Sequence, residues 1–389
     1  MVGVRSRTFL PVYGPNGKPI PMTQLLHLDG SQGEGGGQIL RTALSLSVLT
    51  GQPFHLDAIR ARRQRPGLRP QHLAAVQAAA RISGARVHGD RIGSQTLYFD
   101  PGPVRAGEYD VDVGTAGATS LVLQTLLLPL ALAAGPSEIR IRGGTHVPGS
   151  PCFHYLAWHW QPFLARLGFP FALSMTMAGF YPQGGGELVA CLPGGARPGA
   201  LHLTARGELV AIRGLSAVAN LPVEIAERQR RQALRGLRHL VDGPAPEIEV
   251  AELPATSRGT VLLVLAELTT GQACCFALGA PGKRAEQVAD EAITALGAFL
   301  RSDGAVDPWL ADQLLLPLAL ARGPSTLRTS EVTGHLLTQV AVIQRFLPVA
   351  ITIDGPIGQA GTVEVRPGLG TPGPAPALCG EDPADSGIV

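Results

Sequence analysis

Apolar residues recur at helical spacing in several stretches. Residues 38–50 read as one helix, and residues 71–83 as another, with Leu73, Val76 and Ala80 on one face and Gly84 as its stop. Leu336, Val340, Ile343 and Leu347 give the same period, so a helix starts near His335. Short apolar or alternating runs predict strands over 25–29, 55–59, 109–113, 138–142, 260–265, 273–278 and 326–329. Two more helices, a charged one over 223–240 and one over 284–300, fall in the stretch 206–304.

One pattern repeats. Residues 126–133 read LLLPLALA, and so do residues 314–321. Gly135-Pro136-Ser137 follows the first copy and Gly323-Pro324-Ser325 the second, while a fainter copy runs from Leu44 to Phe54. Each copy is an apolar helix, a Gly/Pro stop and a strand, which predicts a pseudo-symmetric α/β (α+β) domain built by duplication. The expected organisation is a tail over 1–24 and a repeated-unit domain over 25–205 plus 305–366. A smaller inserted α/β domain covers 206–304, and a mobile Pro/Gly-rich end covers 367–389.

Composition narrows the function. Across 389 residues, 45% are hydrophobic and 16% charged, enough to bury a large core. With 32 basic and 30 acidic side chains the net charge is +2, so any basic surface is local rather than coat-like. Five cysteines without a CxxC pair exclude a disulfide scaffold and a zinc ribbon, and predict reduced thiols in the cytoplasm. The longest apolar run, 121–134, contains Gln124 and Pro129 and is too short to span a bilayer. Residues 1–24 have no apolar h-region, so no signal peptide is expected.

Four motifs carry candidate chemistry. Asp29-Gly30-Ser31-Gln32-Gly33-Glu34-Gly35-Gly36-Gly37-Gln38 joins a strand to a helix, where backbone N–H groups and the helix dipole favour an anion. It matches neither the Rossmann nor the Walker A pattern. A carboxylate beside a phosphate site is costly unless a cation intervenes, which makes Glu34 a candidate metal ligand. Between Gln38 and Ile82 there are seven arginines and one acid, Asp57. Most of this face is expected to be solvated, but Arg60 and Arg63 follow a strand, sit near the Gly-rich loop in sequence and suit phosphate oxygens. His335 in the first turn of its helix is expected to stay neutral, as a base, ligand or nucleophile. The other nine histidines are read as ordinary core or surface residues. Trp309-Leu310-Ala311-Asp312-Gln313 departs from the repeat just before LLLPLALA, with Trp309 either core or a stacking platform.

Together DGSQGEGGGQILR (29–41), IRARRQRPGLRPQH (59–72), FYPQGGGE (180–187), WLADQLLLPLALA (309–321) and HLLTQVAVIQRFLP (335–348) resemble the RNA 3′-terminal phosphate cyclases, over roughly residues 25–365. The resemblance implies three units, each of two helices on a four-stranded sheet, with a small α/β domain inserted. It implies an ATP-dependent ligase with a divalent cation, Mg²⁺ or Mn²⁺, acting on RNA 3′-phosphate ends. In that reaction a histidine takes AMP from ATP, the AMP passes to the RNA 3′-phosphate, and the 2′-OH closes a 2′,3′-cyclic phosphate. Carried to this chain, the nucleophile falls on His335, with Glu34 and Arg41 beside it. Nucleotide and phosphate contacts fall on Arg60, Arg63, Gln71, Pro148, Trp309, Asp312 and Gln313, and metal contacts on Glu34 and Asp312. No membrane contact is implied, and oligomeric state stays open. Two rivals remain at this level: a non-catalytic RNA-binding relative serving ribosome assembly, and an enolpyruvyl transferase. The presence of His335 disfavours the first. The second needs Lys/Arg sites across two similar domains, and the chain has only Lys18 and Lys283.

Overall fold

The computed structural model describes residues 25–241 and 243–368. The expected tail over 1–24, and all of the expected mobile end but Pro367 and Gly368, lie outside the described residues.

Three sheets share one topology. The first unit runs β1 (Leu26–Asp29), α1 (Gln38–Thr50), β2 (Phe54–Asp57), α2 (Pro70–Ser83), β3 (Arg86–His88) and β4 (Leu97–Asp100), with strand order β1-β2-β4-β3. The second runs β5 (Glu108–Asp112), α3 (Thr119–Leu132), β6 (Ser137–Gly143), a helical segment, β7 (Ala172–Met177) and β8 (Gly186–Leu192), in order β5-β6-β8-β7. That segment is α4 (Phe153–Tyr155), a π-helical turn (Leu156–Trp160) and α5 (Gln161–Arg166).

The third unit opens with β9 (His202–Leu203) and is then interrupted. Here the chain forms a fourth sheet from β10 (Leu209–Ala219), β11 (Glu247–Glu252), β12 (Gly259–Leu268) and β13 (Gln272–Leu278). Helices α6 (Glu224–Leu240) and α7 (Ala285–Arg301) accompany it. The third unit resumes with α8 (Pro308–Ala319), β14 (Ser325–Thr329), α9 (Gly334–Phe346), β15 (Val349–Asp354) and β16 (Gly361–Pro367), giving the order β9-β14-β16-β15. In each repeated unit the first two strands pair in parallel and the rest antiparallel. The fourth sheet has a different order, β11-β10-β12-β13.

The repeated helix has a physical basis. In α3 every residue from Thr119 to Ala131 is buried except Gln124. A helix covered on all sides must sit inside the protein, and Gln124, the one residue of that stretch not fully buried, faces a cavity. The run in β12 has a parallel cause. Leu262, Val264 and Ala266 pack toward α6 and α7, whereas Leu263 and Leu265 join the main core. A strand buried on both faces loses its alternation.

Local chemistry moved some boundaries. The strand expected over 55–59 ends at Asp57, because Ala58 and Arg60 take left-handed φ values of 53° and 55°. The charged helix spends much of its basic face within its own unit. Arg228 pairs with Glu286, and Arg230 donates to the Ile248 carbonyl.

Candidate active site

Three helix N-termini meet at a cavity of about 390 Å³, lined by Gln38 and Arg41 of α1, Trp309, Asp312 and Gln313 of α8, and His335 of α9. Its size is that of a small-molecule site. Asp307 caps α8 by accepting from Trp309 N and Leu310 N, and Thr333 Oγ1 caps α9 by accepting from Leu336 N. The first turn of α1 has no side-chain cap. Its N–H groups and dipole therefore favour an anion from the cavity side.

The Gly-rich loop is shaped by close approach. A Cβ on Gly37 would lie 2.3 Å from His72 Nε2, and one on Gly33, at φ +55°, would lie 2.0 Å from Thr338 Oγ1. Only glycine lets the loop close against both α2 and α9. That packing brings Glu34 Oε2 to 2.8 Å from His335 Nε2, and Arg63 Nη2 to 3.9 Å from the same oxygen.

Gln38 fixes the imidazole. Its Nε2 sits 2.8 Å from Asp312 Oδ1, 3.0 Å from the His335 carbonyl and 3.1 Å from Gln339 Oε1. All three are acceptors at the amino end, so Gln38 Oε1 must face His335 Nδ1, 2.7 Å away. His335 Nδ1–H therefore donates to Gln38, while the 2.8 Å contact of Nε2 with the Glu34 carboxylate needs a proton between them, so the Nε2 lone pair is free only when that contact opens. Burial is the main cause that lowers the His335 pKa, with Arg41 and Arg63 lowering it further against the pull of Glu34. The shift runs in the direction expected from the sequence, with burial rather than the helix terminus as its main cause. Replacing Gln38 with leucine is expected to release this lock. Nitrogen NMR of the imidazole would then change from a single Nδ1–H tautomer in the wild-type chain to a mixture in Gln38→Leu.

The charges behind the ring are opposed. Burial pushes the Asp312 carboxyl up to about 7, against the pull of Arg41 and the Gln38 hydrogen bond. Burial brings Arg41 down to about 10, so it stays cationic at neutral pH. Among the described residues Arg41 donates no side-chain hydrogen bond and pairs with no carboxylate within 4.0 Å. A half-buried guanidinium whose donors meet no protein acceptor is open to an anion from the cavity.

The structure gathers Arg41, Trp309, Asp312, Gln313 and His335 on the cavity wall, with Glu34 and Arg63 at its edge. Trp309 is 56% exposed, a platform rather than core. The other expected contacts stand outside the lining. Arg60 turns one guanidinium nitrogen onto the carbonyls of Arg65 and Gly67. Gln71 Oε1 accepts from Ala118 N, leaving its amide N–H₂ free of that bond. Pro148 is exposed on the loop whose Gly149 and Ser150 reach the cavity.

Sequence reasoning missed Gln38, Gln339 and Asp307. The signal for the first two was spacing: Gln38 is one turn before Arg41, and Gln339 one turn after His335. Asp307 sits in a buried network behind α8. Its Oδ2 lies 2.5 Å from His159 Nε2 and its Oδ1 accepts from the Tyr155 hydroxyl at 3.2 Å. The π-helical turn aims His159 there, so His159 is a satisfied core residue as expected. Among the described residues no cluster of three or more His, Cys, Asp or Glu could hold a metal. Likewise no described helix is long and apolar enough to cross a membrane.

The chain is thus a protein of repeated α/β units with His335 and the unpartnered Arg41 on the wall of one cavity. The chain's relatives say which family this is. The profile of the family described as RNA 3′-terminal phosphate cyclase matches residues 32–353. An RNA 3′-terminal phosphate cyclase of Methylococcus capsulatus is 48% identical over 88% of this chain and 96% of its own length. One from Ralstonia nicotianae is 48% identical over 84% and 93%, and one from Methanopyrus kandleri 42% over 88% and 99%. The chain belongs to the RNA 3′-terminal phosphate cyclase family.

Proposed function

We propose that this chain converts an RNA 3′-phosphate end to a 2′,3′-cyclic phosphate at the expense of ATP. The observation that carries the reading is His335, held by Gln38 with its Nε2 lone pair at the cavity that also contains unpaired Arg41. His335 Nε2 attacks the α-phosphorus of ATP, the bond to pyrophosphate breaks, and AMP stays on the ring. The RNA 3′-phosphate oxygen then displaces the histidine and forms RNA–(3′)pp(5′)A. The neighbouring 2′-OH attacks the RNA phosphorus, loses its proton and expels AMP. Trp309 stacks the adenine, with Pro148 facing it and Asp312 and Gln313 beside the sugar. Arg41, Arg60, Arg63 and Gln71 bind the phosphates. We assign the compartment as cytoplasm, a reading supported by the free thiols of Cys152, Cys191, Cys274 and Cys275.

The donor set fits a divalent cation that arrives with ATP. Such hard ions need only one or two carboxylates besides phosphate oxygens, and Glu34, with Asp312 behind it, offers that number. When bound, Mg²⁺ or Mn²⁺ would neutralise charge on the phosphates. The protein's own part is different: the 2.8 Å contact between Glu34 and Nε2 must open before that lone pair can attack. Because it removes a carboxylate that would hold the cation, Glu34→Ala is expected to slow AMP transfer about tenfold to a hundredfold and to flatten its dependence on metal concentration, with RNA affinity unchanged. Equal loss of RNA binding and AMP transfer in folded Glu34→Ala would refute the metal role.

The direct test is incubation with ATP, a divalent cation and an oligoribonucleotide 3′-phosphate. The expected products are the cyclic-phosphate end, AMP and pyrophosphate in equal amounts. Conversion without pyrophosphate release would sink the proposal.

A further inference from the structure

The FYPQGGGE loop takes no part in the chemistry above, yet it is one of the most firmly built loops in the molecule. Phe180 is buried, and its ring stacks on His146 at a centroid distance of 4.9 Å. A Cβ on Gly259 would lie 2.1 Å from that ring. Phe180 N donates to Ser257 Oγ at 2.8 Å, and Gly184 N closes the turn onto the Phe180 carbonyl at 2.7 Å. Thr256 Oγ1 blocks the space over Gly185, so the loops 180–185 and 255–258 interlock.

What this scaffold displays is the opposite of core. Tyr181 is 67% exposed, although it follows a residue that is 3% exposed. Pro182, Gln183, Thr256 and Arg258 are also exposed on these loops, and residues 180–185 and 255–258 contain no carboxylate. The surface thus offers an aromatic face, an amide and a cation on rigid backbone. Those groups bind single-stranded nucleic acid, where a base stacks on an aromatic ring and arginine meets phosphate.

The loop packs against segments that lead to the cavity. His146 N donates to the Gly179 carbonyl at 2.9 Å, and three residues on from His146 the chain reaches Gly149 in the cavity lining. On the other side a Cβ on Gly184 would lie 2.8 Å from Ala116 Cα, and one on Gly117 would lie 2.9 Å from Gln71 Cβ. The loop adjoins both the Pro148 segment and Gln71.

We propose that Tyr181 and Arg258 form a subsite for the RNA strand upstream of its 3′-phosphate, with a base stacked on Tyr181 and a backbone phosphate at Arg258. The inference rests on the RNA 3′-phosphate reading. Rigid backbone means little ordering is lost when the strand docks.

The test compares wild type, Tyr181→Ala and Tyr181→Phe. Tyr181→Ala is expected to raise KM for an oligoribonucleotide 3′-phosphate about tenfold, equal to about 1.4 kcal/mol. Tyr181→Phe is expected to keep the wild-type KM. Transfer of AMP from ATP to the enzyme, and conversion of a nucleoside 3′-phosphate with no upstream base, are expected to be the same in all three. An unchanged oligonucleotide KM in Tyr181→Ala overturns the subsite. Anisotropy binding of a labelled oligoribonucleotide decides independently of activity: equal affinity in wild type and Tyr181→Ala also overturns it. Failure of the wild type to take AMP at all would count against the catalytic reading, not against this surface.

Discussion

His335→Ala abolishes transfer of AMP to the protein and lowers RNA cyclisation by a factor on the order of 10⁴ or more, while the fold survives. The loss is expected to be that large because the substitution removes the only atom that would form the covalent bond. The fold survives because of where His335 sits. Its ring is half-buried at a helix start whose cap is Thr333, and alanine is the best helix former. What alanine leaves behind is Gln38 Oε1 without its donor, a cost of about 1–3 kcal/mol reduced by water from the open cavity. Circular dichroism should therefore match wild type, and ATP binding should persist through Trp309 and Arg41. Residual AMP transfer near the wild-type rate would remove His335 from the nucleophile's role.

Arg41→Ala is expected to lower the rate of AMP transfer by about 10² to 10³, the cost of losing a pre-placed cation at a developing negative charge. Arg41→Lys should recover little, since one ammonium cannot replace the planar fork. Stability should go the other way. Arg41 is half-buried without a hydrogen-bonding protein partner, so the desolvation the fold bears there has no structural return. The alanine variant should melt at the same temperature as wild type or higher. Asp312 tempers the gain, because it loses the cation that favours its charged form. A low rate joined to a lowered melting temperature would mean that Arg41 is structural and that its charge is not kept for a ligand.

Much of this was legible in the chain because it is local. Helix α1 occupies residues 38–50 as read from the sequence, and the repeated LLLPLALA marks α3 and α8. Glycines before a helix pointed to the loop that carries Glu34. The rest depends on contacts that spacing cannot report. Gln38 and His335 are 297 residues apart, and nothing at either position alone predicts that one locks the other. Strands such as β3 and β4 are too short to announce a period, and α4 and α5 are broken by a π turn. Arg60 shows the limit from the other side. Its residue type suggested phosphate, but nothing in the sequence showed that Nη1 is held by the carbonyls of Arg65 and Gly67, with only the rest of the guanidinium left for a ligand.

The central claim is that His335 Nε2 is the nucleophile. It is tested most directly by incubating the wild-type chain with α-labelled ATP and a divalent cation, then denaturing it and treating it with acid and base. The account predicts one AMP per chain, stable to base, released by acid as a phosphoramidate is, and mapping to the peptide that contains His335. An adduct stable to acid, or one on another residue, would contradict it. No adduct in folded, metal-supplied protein would turn the reading toward an RNA-binding relative without catalysis.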